Sequence, residues 1–379
     1  MKYCKNCLTT NLRPNAKFNE EGFCIACEFS NNSKNTSFHA RLNLLKKLIR
    51  QIQSKRKSHE SYDCIVGVSG GKDSTRQAHW VRDRLGLRPL LVCCGYPPLQ
   101  MTDIGAANLS NLIELGFDIE VFTPAPKSSA NLSLSSFQKF GNVCKSTEMA
   151  LLAAVPRIAI AKKIPIIFWG ENPSIQVGDS ASEGENYFDG NNLKNMNTNT
   201  EGGLDWIFTE LDSYKAAAYK YPENEDFKSS KIDTIYLGPA WDDWSNDDNS
   251  LYAALNGLTL RPDDIDITGD ISGASMLDEE FTNINMMIKY YKFGFGRATD
   301  ICNERIRLGI MNRYEAIKIV EKYDGICDDT IISRYCNYVG IDEFFFWETV
   351  NQFTNKTIFK TCKGKRPVKK FKVGVNFDY

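Results

Sequence analysis

The chain has 379 residues, 42% hydrophobic and 25% charged, a composition for about two globular domains and not for a collagen-like or low-complexity protein. Lys plus Arg number 46 and Asp plus Glu 47, a net charge of −1, which argues against a basic nucleic-acid coat and against an acidic solvating tail. No run of about 18 apolar residues predicts a membrane span. The start, Met1-Lys2-Tyr3-Cys4-Lys5-Asn6-Cys7, lacks the apolar core of a secretory signal, so the expectation is a cytoplasmic chain with reduced thiols.

In chain order, residues 1–28 hold paired cysteines and 30–37 read as a polar linker. Leu42, Leu45, Ile49 and Ile52 recur at helical spacing and predict an amphipathic helix over 38–57. The period then shortens. Strands are expected at 63–68, 89–94, 118–122, 165–169 and 232–237, with helices over 74–86, 104–116 and 146–162 between them. This alternation predicts an α/β fold with a doubly wound, mostly parallel sheet. Residues 178–230 read as an insertion or lid, 242–270 as an acidic stretch, and 276 onward as mostly helical. The segment 356–372 carries eight Lys/Arg and no acidic residue, which reads as a solvated, partly disordered basic tail. The expected division is 1–37, 38–240 and 241–379.

Ser69-Gly70-Gly71-Lys72-Asp73-Ser74 follows the first strand, directly after Val68, and opens a helix. Two glycines turn the backbone and expose N–H groups, and the helix N-terminus adds partial positive charge: an anion cradle. Lys72 offers a cation to phosphate and Asp73 a ligand to a metal ion. The spacing is neither that of a Walker A loop nor that of a dinucleotide fingerprint. It resembles the PP-loop signature of the N-type ATP pyrophosphatases, which implies ATP with Mg²⁺ and release of pyrophosphate.

Cys4-x-x-Cys7 and Cys24-x-x-Cys27 present two thiolate pairs, the donor set for structural Zn²⁺ in a ribbon-like module, with an iron–sulfur cluster as the alternative. Glu171 and Asn172, in Trp169-Gly170-Glu171-Asn172-Pro173, follow a strand and so face a ligand at the carboxyl edge, or else form a solvated turn. Lys292-Phe293-Gly294-Phe295-Gly296-Arg297-Ala298-Thr299-Asp300 brings cations to a phosphate or oxyanion, or else connects two helices. Cys93 and Cys94 end a strand and read as packing residues. His39, His59 and His79 are the three histidines, and none has a partner at ligand spacing.

Taken in order, the paired cysteines, the S-G-G-K-D-S loop, the W-G-E-N-P turn and the glycine-rich segment, followed by Ile306-Arg307-x-Gly309 and Arg313-x-Glu315-Ala316, resemble the N-acetyl sugar amidotransferase family of bacterial surface-polysaccharide biosynthesis. The resemblance spans roughly residues 1–325. It implies adenylation of the acetamido oxygen of a nucleotide-activated N-acetyl sugar, followed by attack of ammonia to give an acetamidino sugar for lipopolysaccharide O-antigen or flagellin glycans. Within it, backbone N–H groups of 70–74 with Lys72 hold pyrophosphate, and Asp73 orients metal or ATP. Lys292 and Arg297 serve phosphates, and Glu171, Asn172, Arg297 and Asp300 serve the substrate. No glutaminase nucleophile is recognisable, so the resemblance implies ammonia from a class I glutaminase subunit with a cyclase-like channel partner. No nucleic acid or membrane is expected as a partner, and self-association stays open. The alternative is a PP-loop tRNA thiolation or other tRNA-modifying enzyme, against which the neutral charge and the lone Cys144 count.

Overall fold

The computed structural model describes residues 1–33, 37–54, 62–200 and 203–377; the middle of the expected linker, the side chain of Ile52 and His59 lie outside the described residues. Helices α1 (Ile25–Ser33) and α2 (Phe38–Gln53) precede strand β1 (Cys64–Val68), and α3 (Lys72–His79) follows it and widens into one π-helical turn over Trp80–Arg84. Then come β2 (Pro89–Cys94), α4 (Asp103–Glu114), β3 (Ile119–Phe122), α5 (Pro126–Phe140), α6 (Lys145–Lys162), β4 (Ile166–Trp169) and β5 (Asp233–Tyr236). The sheet has the order β3-β2-β1-β4-β5 and every pair is parallel. This is the doubly wound α/β fold expected from the alternating periods.

Every residue of β1 and β2 is buried, as a strand covered on both faces requires. Successive side chains divide between the two layers. Cys64, Val66 and Val68 join Leu42, Leu45, Trp80 and Trp241 on one face, and Ile65 joins Leu132, Met149 and Val155 on the other. Gly67 allows the second layer its approach, since a Cβ there would stand 3.0 Å from the Trp169 ring and 3.1 Å from Val155.

The insertion at 178–230 packs on this second layer. Trp206, Ile207, Ala216 and Tyr219 are buried in it, and Asp189 bridges Ile235 of β5. Apolar residues scattered over several short helices leave no periodic trace, so the lid expectation gives way to a flank of the core. The basic tail is also corrected. It forms an antiparallel hairpin, β6 (Phe359–Cys362) with β7 (Lys365–Lys369), whose Phe359, like Phe371 beyond it, is buried in the C-terminal core. Its charge is partly paired, by Arg366 to Asp329 at 2.6 Å and by Lys369 to Glu321. The dense charge concealed an apolar alternation.

The N-terminal module packs on the C-terminal helices. Met1, Tyr3 and Leu8 enter their core, the Leu8 N–H donates to Asn303 Oδ1 at 2.6 Å, and Arg313 donates to the carbonyls of Cys4 and Cys7. Helix Arg297–Arg307 is fixed at its start by buried Asp324, which accepts from the backbone N–H groups of Gly296 (2.8 Å) and Thr299 (3.1 Å) and from the Thr299 hydroxyl. Asp324→Ala leaves those donors buried without an acceptor, at a cost on the order of 1–3 kcal/mol. Denaturant unfolding should show that loss, and an unchanged midpoint would show that Asp324 does not anchor the helix.

Candidate active site

The loop after β1 folds as its residues dictate. Gly70 takes φ +86°, and a Cβ there would meet the backbone of Leu109 at 3.0 Å, so only glycine lets the loop lie against α4. Gly71 caps α3 in extended conformation. The Ser74 hydroxyl donates to Gly71 O at 3.1 Å, closing the turn. Lys72, the first residue of the helix, is buried, and its Nζ donates to Asp73 Oδ2 at 2.6 Å.

Two cavities open from this loop. The first, of about 200 Å³, is lined by Val68, Ser69, Gln77, Val92, Trp169 and Trp244 among others. Its walls are largely apolar, and the buried Gln77 Nε2 there has no partner among the described residues. The second, of about 100 Å³, gathers charge: Lys72, Asp73, Glu171, Arg297, Asp300, Glu304 and Arg307 line it together. Asp73 and Glu171 line both.

Burial opposes ionisation of Asp73, but Lys72, Asn249 and Arg297 outweigh it and hold the carboxyl below its usual range. Glu171 lies deep in the recess although its side chain is open to the cavity. Desolvation, then the charge of Asp73, push it up to about 7. Asp300 accepts from Lys289 Nζ at 2.7 Å and pairs with Arg13, and these cations keep it ionised against burial. Arg297 donates to Ser275 Oγ at 2.7 Å.

Of the expected site residues, the structure thus brings together Lys72, Asp73, Glu171, Arg297 and Asp300, beside the backbone of Val68, Ser69, Gly71 and Ser74. Two stand apart. The Asn172 side chain accepts from Ser174 N at 3.0 Å and donates to Tyr187 O at 3.0 Å, caps a helical turn and is buried; it lines neither of these cavities but the adjoining one beside α1 and α2. Lys292 reaches Phe140 O at 2.6 Å and lines a separate cavity of about 380 Å³ with Arg13, Lys289, Phe293 and Phe295. It is the last turn of its helix that turns it away, whereas Arg297 opens the next helix.

Among the residues that escaped the sequence reading, three stand directly behind the phosphate loop. Asn249, on helix Asn246–Leu255, donates to Asp73 Oδ1 at 2.7 Å and accepts from Arg76 at 2.8 Å, and Arg76 also pairs with Asp243. Asp242-Asp243-Trp244-Ser245 read as an acidic stretch, yet Ser245 caps this helix by accepting from Asp248 N, which is the available signal. Asp278 is the third: it accepts from Tyr96 at 3.0 Å and lies beside Ser69, and burial raises its pKa.

The Sγ atoms of Cys4, Cys7, Cys24 and Cys27 all lie within 4.8 Å of one another and are buried; Cys7 and Cys24 stand 3.7 Å apart. A tetrahedral ion with metal–sulfur bonds of about 2.3 Å needs edges of about 3.8 Å, so the set fits a single metal ion. Cys93 and Cys94 are buried packing residues whose thiols burial pushes up to about 12.

Asn249→Ala should lower turnover roughly ten- to a hundred-fold, as lost support of a site carboxylate does, with a stability loss on the order of 1–3 kcal/mol from the buried Arg76 and Asp73 groups left unbonded; full activity of the folded variant would remove Asn249 from the site. In Cys4→Ser/Cys24→Ser protein, metal analysis should find the bound metal lost and the N-terminal module destabilised. Full occupancy would reject the four-cysteine site.

Residues 278–372 match the family model described as LPS biosynthesis protein WbpG-like, C-terminal domain. No curated protein matches the chain. Similar solved structures include NMN synthetase from Francisella tularensis, at 15% identity over 60% of this chain and 90% of that one, TM-score 0.27. Another is the U34-tRNA thiolase NcsA from Methanococcus maripaludis with its [4Fe-4S] cluster, at 14% identity over 89% and 95%, TM-score 0.28. Likeness that remote separates no functions. The loop after β1 stands at the carboxyl edge of a parallel strand, where the resemblance carried by the sequence expects a phosphate loop, and residues 278–372 are similar to a WbpG-like C-terminal domain.

Proposed function

We propose that the chain is an ATP-dependent amidotransferase that converts the acetamido group of a nucleotide-activated N-acetyl sugar to an acetamidino group, for surface-polysaccharide biosynthesis. One observation carries this reading. The segment that matches a lipopolysaccharide-biosynthesis domain supplies Arg297, Asp300, Glu304 and Arg307 to the cavity that holds Lys72 and Asp73. The substrate-facing wall and the phosphate loop thus meet in one space.

An amide carbonyl is a poor electrophile, so its oxygen must become a leaving group. The acetamido oxygen attacks the α-phosphorus of ATP, the bond to pyrophosphate breaks, and the amide proton is lost, leaving an O-adenylyl imidate. Ammonia adds to the imidate carbon, sheds a proton, and AMP departs with the former carbonyl oxygen. The apolar cavity suits the adenine ring, with Gln77 free to bond its edge. The N–H groups of 70–74 and Lys72 face the pyrophosphate, and Arg297 stabilises charge gathering on the α-phosphate. Asp73, an ionised hard-oxygen donor, would hold Mg²⁺, which neutralises the phosphates when bound. Glu171, titrating near neutrality, accepts the proton that ammonia sheds. In this reading Zn²⁺ in the four-cysteine site is structural, and ammonia from a glutaminase partner enters by the cavity of about 380 Å³, which shares Val177 with the catalytic cavity. The tRNA-thiolation reading is less favoured: the sole group of three or more clustered metal-ligating side chains among the described residues is the N-terminal one, and Cys144 is buried against Glu279.

With ATP, ammonium and a nucleotide-activated N-acetyl sugar, the products should be AMP, pyrophosphate and an acetamidino sugar; ADP and phosphate would reject the chemistry. Glutamine should not replace ammonium for the chain alone. The base form of Glu171 grows as pH rises through about 7, so turnover at fixed free ammonia should rise across that range. Glu171→Gln should flatten the profile and lower turnover by roughly 10²–10⁴-fold. An unaltered profile would remove Glu171 as the base.

A further inference from the structure

A fourth cavity, of about 350 Å³, adjoins the catalytic one. It lies between α1, α2, the turn after β5 and helix Arg297–Arg307, and it shares Gln176, Trp244, Glu304 and Arg307 with the catalytic cavity. Its walls are aromatic: Phe29, Phe38, Trp241 and Trp244. Trp244 stacks on Trp241 with centroids 4.5 Å apart and planes 20° apart, so the two rings form a rigid platform. Trp241 is 3% exposed, yet its indole N–H finds no acceptor among the described residues. A buried donor left in that state costs free energy unless a ligand satisfies it.

Two guanidinium groups stand on the same cavity. Arg41 lies 5.6 Å from the Phe29 ring and 5.4 Å from the Phe38 ring, and among the described residues its Nη1 donates to Pro239 O at 3.4 Å. Arg307 donates to Gln176 O at 3.0 Å. Neither is joined to a carboxylate by an ion pair among the described residues, whereas the neighbouring Arg76 and Arg305 are. Aromatic planes recognise a nucleobase by stacking, and guanidinium groups without a carboxylate partner recognise phosphate. Asp242 and Glu304, also in the lining, are acceptors for ribose hydroxyls.

We infer that this cavity is the subsite for the nucleoside diphosphate half of the sugar substrate, separate from the ATP site. The base lies on the Trp241–Trp244 platform, the diphosphate lies between Arg41 and Arg307, and the sugar extends past Arg307 into the catalytic cavity. The inference rests on the reading of the substrate as a nucleotide-activated sugar and adds where, and by which residues, its nucleotide is held. Trp244 lines this cavity and both cavities that open from the phosphate loop, so it separates the two nucleotides.

Calorimetric titration of the full chain with UDP, CDP, GDP and dTDP, each with and without saturating non-hydrolysable ATP analogue, tests it. At least one diphosphate should bind equally with the analogue present. Arg41→Ala and Trp241→Phe should each weaken that binding about ten-fold or more, while binding of the analogue stays unchanged. Arg41→Gln keeps bulk and polarity and should show the same loss if the first variant folds poorly. Displacement of every diphosphate by the analogue, binding indifferent to Arg41 and Trp241, or no binding at all would overturn the subsite. Formation of the acetamidino product with no such binding would defeat this inference alone. Diphosphate binding lost in these variants, with no acetamidino product from the native chain, would defeat the proposed reaction alone.

Discussion

Asp300 is a carboxylate with only 13% of its side chain exposed, and the site depends on how it is kept ionised. A charge withdrawn from water costs several kcal/mol unless paired, and here Lys289 and Arg13 do the pairing from two different parts of the chain. Arg13 comes from the cysteine module and also lies 4.0 Å over the Phe295 ring. Helix Arg297–Arg307, anchored at its start by Asp324, is thereby also tied to the module that carries Arg13. That module is too small for its own core, so a metal ion would supply its folding energy. Metal binding by the four cysteines would in this way be linked to the geometry of the cavity wall through one ion triad.

The arrangement of charge around the loop follows from the same wall. Lys72, Arg297 and Arg307 supply cations on the cavity, while Asp73, Glu171 and Glu304 face them. Similar carboxylates end up in different states. Asp73, bonded to Lys72 and Asn249, remains ionised; Glu171, without such partners and facing Asp73, titrates near neutrality. In the proposed reaction, environment alone would separate an orienting carboxylate from a proton acceptor. The indole of Trp244 lines each cavity beside this cluster, against Gly170, where a Cβ would approach it to 2.5 Å.

Much of this was legible in the sequence because it depends on local chemistry. The buried strands announce themselves as short branched runs, and β2 has the bounds expected of it. The phosphate loop and the two cysteine pairs need only residues adjacent in sequence. What long-range packing decides was not legible. Asn249 lies 176 residues from the Asp73 it orients, within a stretch whose acidic composition spoke louder than its capping serine. Helix 126–140 went unrecognised because its many serines blur the apolar period, although Pro126 and Gly141 punctuate it at both ends. Lys292 and Arg297 are five residues apart and read as one cationic loop, but a helix end between them sends them to different cavities. The charged hairpin at 359–369 hides its buried Phe359 behind lysines.

The central claim is that the acetamido oxygen itself is adenylated. A nucleotide-activated N-acetyl sugar carrying heavy oxygen in its acetamido carbonyl tests this most directly, with ATP and ammonium, followed by mass spectrometry of the released AMP. The account predicts that the heavy oxygen appears in the phosphate of AMP, one label for each acetamidino group formed. Unlabelled AMP, with the heavy oxygen retained in the sugar or released to water, would contradict it.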